Sequence, residues 1–295
     1  MSAKPRGYFF WTAIWTPLPV WKRLDMAVLV VVVYSVVVGL VYELTSLDMP
    51  NWGGLLTVLN VIVLGILLQF RNRESYERWW EARKLWGQLV NDSRNFCVKI
   101  GAIQKLDPAD KVEFGELVAG FAVALKNHLR ETGKSPAETP TAIGGQIHQN
   151  APLEYLRRTA LKLRECKDAG KLSDWDLLLL DPHARGQSDV LGACERIKNT
   201  PLPLSYRSLL RHGLVLYLIS SPWLVFDEIR WWGIPAIALL TYFLIGIEFT
   251  AEDVEEPFGR DADDLALNTY CETIRKSVNQ VLSASIATPA DSIDG

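Results

Sequence analysis

Three apolar residues, Ile62, Ile66 and Phe70, recur at i, i+4 and i+8 inside an uncharged run, Met49–Phe70. At 3.6 residues per turn they share one helix face. A single stripe of this kind does nothing alone, and lipid-facing packing explains it equally well. Several copies around an axis would stack three apolar rings, and such constrictions gate ions by dewetting. A second group is the acidic run Glu252–Asp264, "EDVEEPFGRDADD". Clustered oxygens suit a hard cation such as calcium, and the same carboxylates suit a solvated or helix-capping turn. The other reactive groups are scattered. Cys97, Cys166, Cys194 and Cys271 form no C-x-x-C, and His128, His148, His183 and His212 are equally dispersed. That spacing argues against a disulfide framework or a zinc site. No P-loop, G-x-S-x-G or H-E-x-x-H occurs, so the chain is not read as an enzyme.

The elements that would position these groups follow from segregation of the composition. Charged residues make up 22% of the 295 positions, yet mean hydropathy is +0.08. Some segments must then be very apolar and others very polar. Four apolar blocks stand out: Met26–Tyr42, Met49–Phe70, His212–Phe226 and Trp231–Ile247. A spanning helix needs roughly 20 apolar residues, with about 17 as the lower end. The second block meets this outright and the first and fourth marginally. The third needs Leu209 and Leu210 added and Arg211 reaching out to water. We therefore expect an all-α integral membrane protein with four transmembrane helices. Val-rich blocks are weak helix formers in water, but in lipid the backbone must satisfy itself. The net charge of −3 gives no reason to expect a nucleic-acid partner.

Lys and Arg placement sets the expected topology. Lys4, Arg6, Lys22 and Arg23 precede the first block. Arg71, Arg73 and Arg78 follow the second, and Arg207 and Arg211 flank the third. The intervening connections carry Glu43, Asp48, Asp227 and Glu228 with one basic residue, Arg230. Both termini are expected in the cytoplasm, with spanning hairpins at 26–70 and 207–250. Helical cytoplasmic chain would fill 71–206, with a cytoplasmic segment at 251–295. Residues 1–25, with Trp11, Trp15 and Trp21 beside Lys22 and Arg23, read as an interfacial segment. They lack the small-x-small cleavage site of a signal peptide.

In the cytoplasmic region we expect helices over Glu74–Lys99, Asp110–Glu131, Leu153–Ala169, Ser173–Leu180 and Ser188–Lys198. Ser173 and Ser188 would be N-caps and Gly170 a stop. Tyr76, Trp79, Trp80, Arg83, Trp86 and Gly87 fall on one face, read as packing against neighbouring helices. The step from Phe70 to Arg71 reads as a membrane exit at which the helix need not break.

The stretches "FRNRESYERWWEARKLWGQLVNDSR", "DVLGACERI", "TPLPLSY" and "EEPFGRDADDLALN" resemble the bestrophin family, in that family's order and over nearly the whole chain. The first 25 residues and residues 132–150 carry no match, and the short C-terminus looks like the bacterial branch. The resemblance implies a homopentameric channel in the cell (inner) membrane, conducting small monovalent ions, with chloride the family's ion. A coupled transporter would call for ionisable groups inside the spanning blocks, and the first, second and fourth blocks have none. By resemblance, Ile62, Ile66 and Phe70 match the apolar neck. Trp175 in "GKLSDW" matches a lower cytoplasmic constriction, where the family tends to have a smaller aliphatic residue. Asp261 and Asp264 match side-chain calcium ligands of animal members, whereas Arg260 and Ala262 break the acidic run there. An apolar neck has no sign of its own, and acidic mouths at Glu43, Asp48, Asp227 and Glu228 would attract cations. A sodium- or potassium-selective channel of the same architecture is the alternative.

Overall fold

A computed structural model describes residues 19–45, 53–130 and 150–287. The expected interfacial tryptophans Trp11 and Trp15 lie outside these residues, as do Asp48 and the 132–149 loop. The described chain is helical with no strand: α1 (Pro19–Thr45), α2 (Gly53–Ala102), α3 (Pro108–Arg130), α4 (Ala151–Asp168), α5 (Asp174–Asn199), α6 (Leu204–Ile229), a 3-10 turn (Arg230–Trp232), α7 (Gly233–Glu255) and α8 (Leu267–Ala287). It divides into two compact units. One comprises residues 1–77 and 202–255, the other 78–201 and 256–295.

Among the described residues of the first unit, three helical stretches are long and apolar enough to cross a membrane: Lys22–Thr45, Leu204–Phe226 and Arg230–Glu255. Helices α1, α6 and α7 pack directly on one another. Backbones come close where a side chain is missing: a Cβ at Gly39 would strike the Phe226 ring. Pro222 cannot donate to the Leu218 carbonyl four residues before it. The Ser221 hydroxyl donates to that carbonyl instead, at 3.4 Å, and α6 continues. The α6–α7 corner puts Arg230 at φ +52, a region non-glycine residues rarely adopt. Neighbours hold it there. The Arg230 guanidinium lies over the Tyr42 ring at 5.2 Å. Trp231 packs edge-on to Phe226 and donates to Glu43 at 2.7 Å.

The second unit has a continuous apolar core. Trp86, Phe96 and Ile100 of α2 meet Phe114, Phe121 and Leu125 of α3 and Leu267, Ile274 and Val278 of α8. All four cysteines are buried and unpaired, and burial pushes the Cys97 and Cys194 thiols up to about 12. Asn150 caps α4 by accepting from the Leu153 amide, and Gly170, at φ +74, ends it. The two helices expected over 173–180 and 188–198 are one, α5, with Pro182 inside it and Ser188 in its interior rather than at a cap. Burial of Leu180, Gln187 and Val190 on both sides of the proline holds the helix together. Lys99 donates to the Leu179 carbonyl beside the proline at 2.9 Å. The expected packing face of α2 is also divided. Trp86 is fully buried with Ala82 and Leu89, whereas Tyr76 and Trp80 are exposed. They lie about 110° and about 150° round the helix from the 82/86/89 stripe.

A charged cluster ties α3 to the end of α4. Asp110 is buried and accepts from Lys171 at 2.5 Å and from Lys162 at 3.0 Å. Lys171 also reaches Asp107 at 2.7 Å and Lys162 reaches Glu113 at 2.7 Å. The Lys171 hydrogen bond, with help from Lys162, holds the Asp110 carboxyl below the usual carboxylate range despite its burial. A depressed carboxylate stabilises the fold above its unfolded value and loses that contribution as pH falls through its folded one. Asp110→Asn is therefore expected to cost about 1–3 kcal/mol at pH 7. The Tm gap to the parent should close below about pH 4, near the unfolded Asp value. Thermal melts of both proteins across that range test this, and a gap that persists at low pH contradicts it.

Candidate pore and acidic turn

Helix α2 is continuous from Gly53 to Ala102, so it does not break at Phe70/Arg71, where a membrane exit is expected from the sequence. Near Phe70 its two faces differ sharply. Leu64 and Leu68 are 5% and 2% exposed, and Arg71 and Ser75 are fully buried. These four fall at i, i+4, i+7 and i+11, one side of the helix. Ile62, Ile66 and Phe70 are each 52% exposed. The structure thus places the three sequence-selected residues together as an exposed apolar stripe. Leu64 and Leu68 anchor the opposite face against Leu214 and Tyr217 of α6.

Below the stripe lies a charge network not anticipated from the sequence. Arg71 Nε is 3.3 Å from Glu248 Oε2, and its Nη1 is 2.7 Å from Glu255 Oε2. Arg211 reaches Glu248 at 3.5 Å and Glu252 at 2.8 Å. Arg207 lies 3.8 Å from Glu255, and Arg23 pairs with Glu252 at 3.1 Å. Four helices of the unit meet here. Arginines on which the topology argument rests thus gather at one end of it, against the last two turns of α7. Spacing carried the signal: Glu248, Glu252 and Glu255 fall at i, i+4 and i+7, and Arg207 and Arg211 at i and i+4.

Trp175 sits in the first turn of α5. Ser173 and Asp176 form a reciprocal capping box, with Ser173 N donating to Asp176 at 2.8 Å and Asp176 N donating to Ser173 at 3.2 Å. The cap fixes the helix start, and Trp175 stands 76% exposed beside exposed Leu178 and Leu179. Those three, at i, i+3 and i+4, form an apolar patch of which the sequence reading selected only the first member.

The acidic run divides. Glu252 and Glu255 belong to the arginine network. Asp261 and Asp264 belong to a tight turn, in which Asp264 Oδ2 accepts the Asp261 backbone N–H at 2.5 Å. The Leu265 amide donates to the Pro257 carbonyl at 3.0 Å, and Trp79 Nε1 donates to the Asp263 carbonyl at 3.0 Å. Burial pushes the Asp264 carboxyl above its usual range. Among the described residues no three His, Cys, Asp or Glu side chains cluster as metal ligands do. A calcium clasp takes roughly six to eight oxygens, of which the Asp261 and Asp264 side chains could supply only a part. The arrangement is that of a turn cap. Asp264→Ala is accordingly expected to cost about 1 kcal/mol, with the same loss of Tm in chelator as in calcium. A parent Tm that rises by several degrees in micromolar calcium, with no rise in Asp264→Ala, would overturn this.

The family model for the Bacterial/Fungal Bestrophin protein matches residues 2–280. The chain belongs to the bacterial and fungal bestrophin family. A voltage-dependent anion channel-forming protein of Nostoc sp. is 33% identical over 262 residues, covering 85% of this bestrophin and 84% of the relative. One from Synechocystis sp. is 30% identical over 285 residues, covering 91% and 92%. A bacterial bestrophin homologue from Klebsiella pneumoniae superposes with a TM-score of 0.78 at 25% identity, over 90% of this chain and 98% of that one. A second crystal structure, described as a membrane protein, gives 0.82 at 25% identity over 88% and 99%. The all-α fold read from the sequence is thus that of the bacterial bestrophin homologues, and three of its described helices are long and apolar enough to cross a membrane.

Proposed function

We propose that this bestrophin assembles as a homopentamer in the inner membrane and passively conducts small monovalent anions such as chloride. The first part of α2 from each subunit, the fourth spanning segment, would line its axis. The observation that supports this best is the apolar stripe Ile62, Ile66 and Phe70, half exposed on a helix whose opposite face is buried in its own unit. A helix so anchored presents the stripe outward, and five copies turn it into three rings. Relatives named as anion channel-forming proteins favour anions. Transport coupled to another ion finds no support in the charged groups of the described residues, which lie at the two ends of the apolar helices rather than along them.

A cation-selective channel of the same architecture is the second reading, favoured by the exposed carboxylates Glu43 and Glu228. Glu43 lies about 30 Å along α1 from Arg23, at the end away from the arginine network. The purified protein in planar bilayers with asymmetric potassium chloride decides between them. A reversal potential near the chloride equilibrium value is expected, and one near the potassium value favours the alternative. A detergent-corrected mass of five 33.2 kDa chains is expected beside it, and a mass of one or two chains contradicts the assembly.

A further inference from the structure

Helix α2 is attached to its unit by two unlike contacts. The Leu64/Leu68 cluster against Leu214 and Tyr217 is apolar, and apolar burial is non-directional. It would hold α2 nearly as well after a small rotation. Arg71 is different. Its planar fork bonds two carboxylates seven residues apart on α7, and α-helical rise separates those positions by about 10 Å. Charge-assisted bonds from a fixed fork are geometrically demanding. The carboxylates are themselves held: Glu255 Oε1 accepts the Leu202 amide at 3.2 Å, and Arg207 and Arg211 flank the pair. Arg71 is wholly buried and follows Phe70 directly.

We infer that Arg71, gripped by Glu248 and Glu255, is the positioning residue that fixes the rotation of α2 and so presents Ile62, Ile66 and Phe70 together. The inference rests on the neck reading. Each residue advances α2 by about 100°, so a turn of a fraction of that would swing Ile62, Ile66 and Phe70 away from a shared direction and move Leu64 and Leu68 out of their buried one. Stability alone does not account for the network, because a buried ion pair replaced by apolar groups of similar size is often no less stable. A fixed angle is what the apolar contact cannot supply.

Cysteine accessibility reads rotation directly, and the native cysteines are buried. Ile66→Cys and Leu68→Cys are made in the parent full-length protein, and block of current by a small thiol reagent is timed. The same pair is made in the uncharged background Arg71→Met/Glu248→Gln/Glu255→Gln and in Arg71→Lys. In the parent, block at position 66 is expected to be about tenfold faster than at 68, the exposed and buried faces of one helix. In the uncharged background that ratio is expected to fall below about threefold, because apolar contacts alone leave the angle free. Arg71→Lys, which keeps charge without the fork, should fall between. A ratio unchanged in the uncharged background overturns the inference. Should that background fail to assemble, an unchanged ratio in Arg71→Lys overturns it. If Ile66→Cys in the parent is not blocked at all, the neck reading itself fails, a distinct result.

Discussion

Ile66→Ala, and Ile62→Ala beside it, raise conductance or open probability by on the order of tenfold, a change of about 1.4 kcal/mol in the barrier an ion meets. The magnitude follows from wetting. Each substitution removes three carbons from every subunit, at about 0.8 kcal/mol of apolar burial per CH2, and five copies act on one ring in the proposed pentamer. An apolar ring that excludes water excludes ions, so a wider and wetter ring admits them. Stability should fall little, because both side chains are half exposed in the single chain. Single-channel recording at equal reconstitution density checks this. Unchanged currents in both variants would place the stripe against lipid.

Trp175→Ala raises conductance by about twofold or more, provided the ring of five tryptophans limits the cytoplasmic exit. Trp175 is 76% exposed and stands on a capped helix start. Its removal therefore disturbs no core, and the Ser173–Asp176 capping box stays intact. Tryptophan is the largest side chain, and the resemblance to bestrophins implies a smaller aliphatic residue at this position. The chain would thus be more constricted there than its relatives. Equal conductance in the variant and the parent at matched voltage would mean that the exit is limited elsewhere, with exposed Leu178 and Leu179 the next residues to test.

The sequence by itself determined the all-α class, the apolar blocks and the shared face of Ile62, Ile66 and Phe70, because each is a periodicity or a run length. The caps at Ser173 and Gly170 were legible for a similar reason, since local hydrogen bonding and a positive φ act within a few residues. The break expected between 180 and 188 was not borne out. Ser188 as a candidate N-cap argued for it, but burial of Leu180, Gln187 and Val190 is a tertiary term that sequence spacing does not weigh. The face carrying Trp86 was read too broadly, because Tyr76 and Trp80 share its composition but not its angle. The acidic run reads as one feature in the sequence and is two in the fold. Glu252 and Glu255 end an apolar helix and face arginines from other helices, while Asp264 folds back on the Asp261 amide. Only tertiary structure could bring Arg71 to Glu248 and Glu255, which lie 177 and 184 residues away along the chain. No local pattern encodes which of many exposed-looking arginines will be the buried one.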